Sequence, residues 1–376
     1  MAGRTTAKGS DMPRPEDRRP VMADVAELAG VSHQTVSRVL NGAPNVAPGT
    51  RARVLASIRE LDYRPNPAAR ALVTRRSKTL GVVSFASTLY GPASMLDGLE
   101  QAARSAGYYL SVASLRSLDA RSVQEAVEHL RRQGVEGIAV IVPQTSAARK
   151  LTEVSSPIPV VAVGTGAPSA LPRVGVDNVA GAATATRHLL DLGHRTVHHV
   201  SGHAGWLDSE QRQAGWRRAL EDAGAEVPPV LRGDWSAQAG YAAGQRLAQD
   251  PEATAVFCAN DHTALGVLRA LHEAGRAVPG DVSVVGFDHI PESAYLVPPL
   301  TTVRQDFAEV GRRALGLLVD GLSGALPVDR HILITPELVA RGSVGPAPGL
   351  RRALQAPGRE QHARPGPRSS ASGVSG

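Results

Sequence analysis

Within six residues the chain carries His33, Gln34, Ser37 and Arg38, interleaved with Val36, Val39 and Leu40 just beyond. On a helix of 3.6 residues per turn the two sets face opposite ways. A glutamine amide can form two parallel hydrogen bonds with adenine, and an arginine guanidinium two with guanine. Such a face can read base edges. Ser32 precedes it as an N-cap, its hydroxyl placed to accept from the backbone N–H near Thr35. Asn41-Gly42 ends it with a pair suited to positive φ.

A second group suits a ligand cleft. Aromatic residues make up only 3% of the chain, so Trp235, directly after Gly233-Asp234, carries weight. Asn260 and Asp288 each close an apolar run, at the strand ends where α/β sheets bind ligands.

Catalysis is not indicated. The sequence holds no Gly-x-Ser-x-Gly elbow, P-loop or His-Glu-x-x-His. Gly164-Thr-Gly166 lacks the third glycine of a dinucleotide fingerprint. A sugar-processing enzyme would need a paired acid and base, and nothing around Asp208 or Asp288 supports one. His198 and His199 point to opposite faces of a strand, which argues against a metal site with His203. The single cysteine, Cys258, excludes a disulfide framework and reads as a small core residue. No catalytic residue, metal or cofactor is expected.

The elements that would position these residues follow from periodicity. Gly30-Val-Ser32 separates the polar-faced helix from an earlier one with Val25, Leu28 and Ala29 on one face, the spacing of a helix-turn-helix. A third helix, about Gly49 to Leu61, would bury Val54, Leu55, Ile58 and Leu61. Residues 1–77 hold 13 Lys and Arg against 7 Asp and Glu, whereas 78–345 hold 23 against 27. A basic head on a mildly acidic body points to a polyanion reader in a separate module.

From Thr79 to about Val344, apolar strands alternate with helical stretches. Strands are expected at Leu80–Phe85, Tyr109–Ala113, Ile138–Val142, Val160–Val163, Val197–Val200, Ala255–Ala259 and Val282–Phe287. Helical periods fall at Ser94–Ala106, Ala120–Gln133, Ala180–Leu192, Ser209–Ala223, Ala237–Gln249 and Asp261–Ala274. That alternation means parallel sheets covered on both faces. Some 265 residues are too many for one such sheet, so two lobes with a cleft between them are expected.

The stretch Met22-Ala-Asp-Val-Ala-Glu-Leu-Ala-Gly-Val-Ser-His-Gln-Thr-Val-Ser-Arg-Val-Leu-Asn41 resembles the DNA-binding signature of the lactose-repressor family of bacterial transcription regulators. Tyr63-Arg-Pro-Asn66 and Ala68-Ala-Arg-Ala-Leu72 resemble that family's hinge. Gly233-Asp-Trp-Ser236, Ala259-Asn-Asp261, Ser283-Val-Val-Gly-Phe-Asp288 and Pro298-Pro-Leu-Thr-Thr-Val-Arg-Gln-Asp-Phe307 resemble its core. The resemblance covers about residues 21–341. It implies a helix-turn-helix head, a hinge helix and a two-lobed α/β core like periplasmic binding proteins. It makes His33, Gln34 and Arg38 the base readers and puts Ser32, Thr35 and Ser37 near phosphates. Asn41, Tyr63 and Asn66 would seat the head and hinge. Ala69 would pack against its dimer mate and Leu72 would wedge into the minor groove, unstacking a base step. Arg212, Trp235, Asn260 and Asp288 would hold the effector, with Leu89 and Phe307 as apolar walls.

Departures from the pattern are local. Val21 stands where relatives cap the first helix with threonine. Gly164 replaces a cleft aspartate, and Arg116-Ser117 straddles a ligand arginine's position. The expected effector is a mono- or disaccharide, with a β-galactoside foremost. A sensor or enzyme without DNA function is the rival reading.

The organisation so read is a disordered 1–20, a head at 21–65, a hinge and linker at 66–78, a first lobe at 79–177 plus about 306–329, a second lobe at 178–305 plus about 330–344, and a disordered tail at 345–376. With only Leu350 and Leu354 in the tail, no heptad seam is available. The expected partners are therefore a second copy of the chain, as a homodimer, and pseudo-palindromic double-stranded DNA. Neither a signal peptide nor a ~20-residue apolar span is present in the sequence, so a cytoplasmic, nucleoid-associated protein is expected and no membrane partner.

Overall fold

In the computed structural model of the chain, residues 20–64, 76–85, 88–115, 120–141, 156–164, 171–325 and 330–355 are described. Two compact units divide it, Met1–Lys78 and Thr79–Gly376.

The first unit is three helices: α1 (Met22–Ala29), α2 (His33–Leu40) and α3 (Pro48–Glu60). Its core is Val25, Ala26, Ala29, Val36, Val39, Val54 and Tyr63. Leu28 and Leu55, expected inside, are 46% and 41% exposed. Each helix of so small a unit meets only two neighbours, and the small residues Ala26 and Ser57 take the inward positions instead. Val21 cannot cap α1, but Asp24 reaches back, its carboxylate accepting the Val21 N–H at 2.7 Å. Gly30, at φ 62, closes α1 in the left-handed conformation.

The second unit holds two sheets. Its elements run β1 (Thr79–Phe85), α4 (Tyr90–Ser105), β2 (Tyr109–Leu115), α5 (Ala120–Arg132), β3 (Ile138–Ile141), β4 (Val160–Val163), β5 (Arg173–Val176), α6 (Asn178–Asp191), β6 (His198–Val200) and α7 (Leu207–Asp222). There follow α8 (Ala237–Gln249), β7 (Ala255–Cys258), α9 (Asp261–Glu273), β8 (Ser283–Asp288), β9 (Thr301–Arg304), α10 (Phe307–Leu322), β10 (His331–Ile334), β11 (Glu337–Val339) and α11 (Pro348–Gln355).

The first sheet has the order β10-β5-β4-β3-β1-β2 and is parallel throughout. One face packs on α4 and α10, through Met95, Leu99, Ala103, Val310, Ala314 and Leu318. The other packs on α5 through Val123, Val127 and Leu130. The second sheet has the order β11-β9-β8-β7-β6, antiparallel only at β11. It is covered by α8 and α9 on one side and by α6 and α7 on the other. Near-continuous apolar strands such as Ala255–Cys258 are buried on both faces, as this layering requires.

Two assignments need correction. Residues 331–334 belong to the first lobe, not the second, because β10 pairs in parallel with β5 from His331↔Arg173 to Ile334↔Val176. The chain returns to the second lobe only with β11. The tail is not disordered from Gly345: its N–H donates to Ser283 Oγ at 3.1 Å, its carbonyl accepts from that hydroxyl at 3.2 Å and lies 3.2 Å from His194 Nε2, and α11 follows. Ala347 N–H is bonded to Leu192 O, and Arg351 donates to Pro279 O. A tail rich in Gly and Pro is held here by backbone bonding that composition does not reveal.

Candidate DNA-reading face and effector site

On α2, Val36 and Val39 are buried while His33, Gln34 and Arg38 are exposed. Ser32 Oγ accepts the Thr35 N–H at 3.2 Å and lies 3.0 Å from Thr35 Oγ1, so the cap forms as expected. Asn41 donates to Ser37 Oγ at 3.4 Å, bringing those two together at the helix end. Tyr63 is not a surface group: it is 7% exposed in the head's core, where burial raises its pKa. Asn66, Ala69 and Leu72 lie outside the described residues, as do Arg116 and Ser117.

In the second unit the residues at the C-terminal ends of the strands converge. Arg212, on α7, is 3% exposed. Its Nη1 donates to Asp288 Oδ1 at 3.0 Å and to Ala259 O at 2.5 Å, and its Nε to Asn178 Oδ1 at 2.8 Å. Its guanidinium carbon stands 3.8 Å from the Phe287 ring centroid and 5.4 Å from that of Trp235. Asp288 Oδ1 also accepts Gln305 Nε2 at 2.7 Å. Burial pushes the Asp288 carboxyl up to about 6, against the opposing pull of Arg212. Desolvation outweighs the ion pair here, as it can when both charges leave water.

Trp235 is held by its own motif. Gly233 is needed because a Cβ there would lie 2.3 Å from Ser201 O. Asp234 Oδ1 accepts the Ser236 N–H at 3.0 Å and its hydroxyl at 2.6 Å, and Ser236 caps α8. That turn fixes Trp235 at φ 75, and its indole lies on Gly202, where a Cβ would meet the ring at 2.3 Å. Its Nε1–H is buried with no partner among the described residues. Asp288 and His289 also have positive φ, at 98 and 57. Of five such non-glycine residues among those described, these three sit together, the kind of strain that functional sites retain.

Asp261 supports that turn. Its carboxyl accepts the Ile290 N–H at 2.9 Å and the Thr302 hydroxyl at 2.5 Å, and burial raises its pKa to about 8. Gly286 must be glycine, since a Cβ would stand 2.1 Å from Asp261 Oδ1. Asn260 is occupied within its lobe: Oδ1 caps α9 at Thr263 N–H (2.9 Å) and Nδ2 donates to Trp235 O (3.1 Å).

The structure adds aromatics that the sequence reading passed over. Trp206, 7% exposed, forms an edge contact with Trp235 at 6.0 Å between centroids. From the first lobe, Phe85 lies 6.5 Å from Trp206, and Leu89 packs on the same cluster. Tyr90 stacks edge-on with Phe307 at 6.1 Å, and burial raises its pKa, with Asp288 adding to the rise. Phe307 itself is 8% exposed within the first lobe's core. With three Trp in 376 residues, aromatic scarcity alone would have flagged Trp206. His199 is a core residue between Trp216 and Phe257, its pKa lowered to about 4 by burial. Among the described residues no group of three or more His, Cys, Asp or Glu could hold a metal, and no helix is long and apolar enough to cross a membrane.

Comparison with known proteins gives two family matches. Residues 21–66 match the bacterial regulatory proteins of the lacI family, and residues 186–344 the periplasmic binding protein-like domain. The HTH-type transcriptional repressor PurR of Haemophilus influenzae is 33% identical over 329 residues, 85% of this chain and 97% of PurR. The crystal structure of the lac repressor dimer bound to operator and the anti-inducer ONPF superposes with a TM-score of 0.78 at 31% identity, covering 87% of this chain and all of that one. The complex of the transcriptional regulator CelR with cellobiose gives a TM-score of 0.64 at 32% identity, covering 86% of this chain and 100% of that chain.

Proposed function

The chain belongs to the lacI family of bacterial regulatory proteins, DNA-binding transcription regulators rather than enzymes, and from that premise we propose a homodimeric repressor that a mono- or disaccharide releases from a pseudo-palindromic operator. The observation that carries the effector half is the buried Arg212–Asp288 pair beside the unpartnered indole N–H of Trp235. The pair offers a fixed donor and acceptor to neighbouring hydroxyls, and the indoles offer an apolar face to ring C–H groups. CelR, a similar protein, was solved with cellobiose, which supports the sugar class.

In this reading Gln34 and Arg38 read base edges, with His33 beside them, and Ser32, Thr35 and Ser37 lie along phosphates. Asn41 and Asn66 seat the head and hinge, and Tyr63 supports them from within the head's core. Ala69 and Leu72 pair with the dimer mate and wedge the operator centre. Gly164 leaves the first lobe without the family's cleft aspartate, so that side of the ligand meets Phe85, Leu89 and Tyr90. This favours a ring with apolar faces.

The test is fluorescence anisotropy of labelled operator with the purified protein, titrated with cellobiose, lactose, glucose and galactose. Release by one of them is expected. Tightening would reverse the sign to corepression, and binding of a sugar with unchanged anisotropy would refute the coupling. Linkage requires that operator weaken sugar affinity by the same factor.

A further inference from the structure

The chain passes between the two lobes three times, between β5 and α6, between β9 and α10, and between β10 and β11. Two of these passages carry a buried amide that reaches the Arg212–Asp288 pair. Asn178, the first residue of α6, is 2% exposed. Its Oδ1 accepts the Arg212 Nε–H at 2.8 Å, and its Nδ2 donates to Asp208 Oδ1 at 2.9 Å and lies 3.4 Å from Val176 O. Gln305, between β9 and α10, is 7% exposed and donates to Asp288 Oδ1 at 2.7 Å. That oxygen is the one Arg212 also bonds. The third passage is held to the first, since Asp177 N–H donates to Ile334 O at 2.9 Å and a Cβ on Gly181 would meet the Pro336 ring at 2.8 Å.

We propose that Asn178 and Gln305 are positioning residues that tie the angle between the lobes to the state of the Arg212–Asp288 pair. Neither amide has to touch the effector. Rotation of one lobe against the other is absorbed by backbone change at the passages. Asn178 and Gln305 stand at two of them, so rotation there strains their hydrogen bonds to a buried cation and a buried anion. Charge-assisted bonds in a low-dielectric interior are costly to break. A ligand hydroxyl that donates to Asp288 draws on the charge of the carboxylate that holds Gln305 and so weakens that bond. One that accepts from Arg212 draws on the charge of the guanidinium that Asn178 orients and so weakens that bond too. Occupancy of the pair thus changes the energy of both passages at once, which is the differential interaction a ligand needs to shift a conformational equilibrium.

The inference rests on the reading that an effector bonds this pair, but its test needs no effector. Spin labels at Gln124→Cys on α5 and Arg218→Cys on α7 report the distance between lobes by double electron–electron resonance, using full-length protein diluted with unlabelled chain. Both positions are exposed, and the native Cys258 is fully buried with its thiol pKa raised by burial, so it does not compete for label. Asn178→Ala and Gln305→Met are each expected to raise the population of a second, more open arrangement on the order of tenfold. Asp288→Asn, which alters the pair itself, should shift the distribution the same way. Ser283→Ala removes a buried hydroxyl of the second lobe remote from the passages and should lower Tm without broadening the distribution. A distribution unchanged in the Asn178, Gln305 or Asp288 variant would overturn the tie, as would equal broadening by Ser283→Ala. Sugar isotherms on the parent protein test the effector reading separately, so the two can fail independently.

Discussion

At the scale of single residues, the proposed reading face and the proposed effector pair make different demands. Gln34 and Arg38 are exposed and carry no fold, so their replacement isolates recognition. Gln34→Ala and Arg38→Ala should each cost about 1–3 kcal/mol of discrimination at one base pair while leaving Tm unchanged. Competition between operator and random DNA measures that cost, and an unaltered ratio would remove these residues from the reading face. If the effector bonds Asp288 as proposed, its affinity should depend on pH. With its carboxyl pushed up to about 6 by burial, Asp288 is charged at neutrality, accepts from Arg212 and Gln305, and would accept from a ligand hydroxyl in the proposed complex. Below that pH the protonated form loses acceptor capacity and leaves Arg212 without a counter-charge. Affinity should be flat above pH 7 and fall by at most about tenfold per unit below 6. Calorimetric titrations from pH 5 to 8 check the direction, and a profile that rises on acidification contradicts it. Trp206→Ala should weaken sugar binding by roughly 1 kcal/mol or more without affecting operator binding in the absence of sugar.

At the scale of elements, glycines decide how closely helices pack. A Cβ on Gly266 of α9 would sit 1.9 Å from Ala237 O, and one on Gly240 of α8 would sit 2.1 Å from Thr263 O. The two helices therefore touch backbone to backbone. Gly266→Ala should destabilise the protein by about 1–3 kcal/mol or more through overpacking. Gly316, on the exposed side of α10 with nothing within 4 Å of its Cβ position, should gain about 0.5–1 kcal/mol as alanine. Urea unfolding of the pair compares the two signs directly. The same contrast explains what the sequence makes legible. Strands buried on both faces, such as Ser283–Asp288, read as apolar runs, and α2 declares itself by a clean split between polar and apolar positions. The strands at Arg173–Val176, Thr301–Arg304, His331–Ile334 and Glu337–Val339 do not, because Arg173, Thr301, Thr302, Arg304, His331 and Glu337 interrupt their apolar runs. Those four flank the passages between the lobes. The motif residues Trp235 and Asp288 were accessible through pattern, whereas Asn178 and Gln305 matter only through partners 34 and 17 residues away.

At the scale of the whole molecule, the C-terminal segment acts as a clasp on the second lobe. Truncation before Gly345 would leave His194 and Ser283 buried without their carbonyl and amide partners, at a cost of roughly 1–3 kcal/mol. Removal of 345–376 should therefore lower Tm by several degrees, while removal of 356–376 should not, and differential scanning calorimetry of the two truncations distinguishes them. Light scattering on either should give a dimer. The threading of the core also bears on its synthesis. The first sheet lacks one edge strand until β10 is made, and β10 begins about 270 residues after the end of α3. At roughly 5–20 residues per second, translation completes the helix-turn-helix head well before the first sheet of the core can close. The nascent chain can thus meet DNA, or a chaperone, before its core is complete.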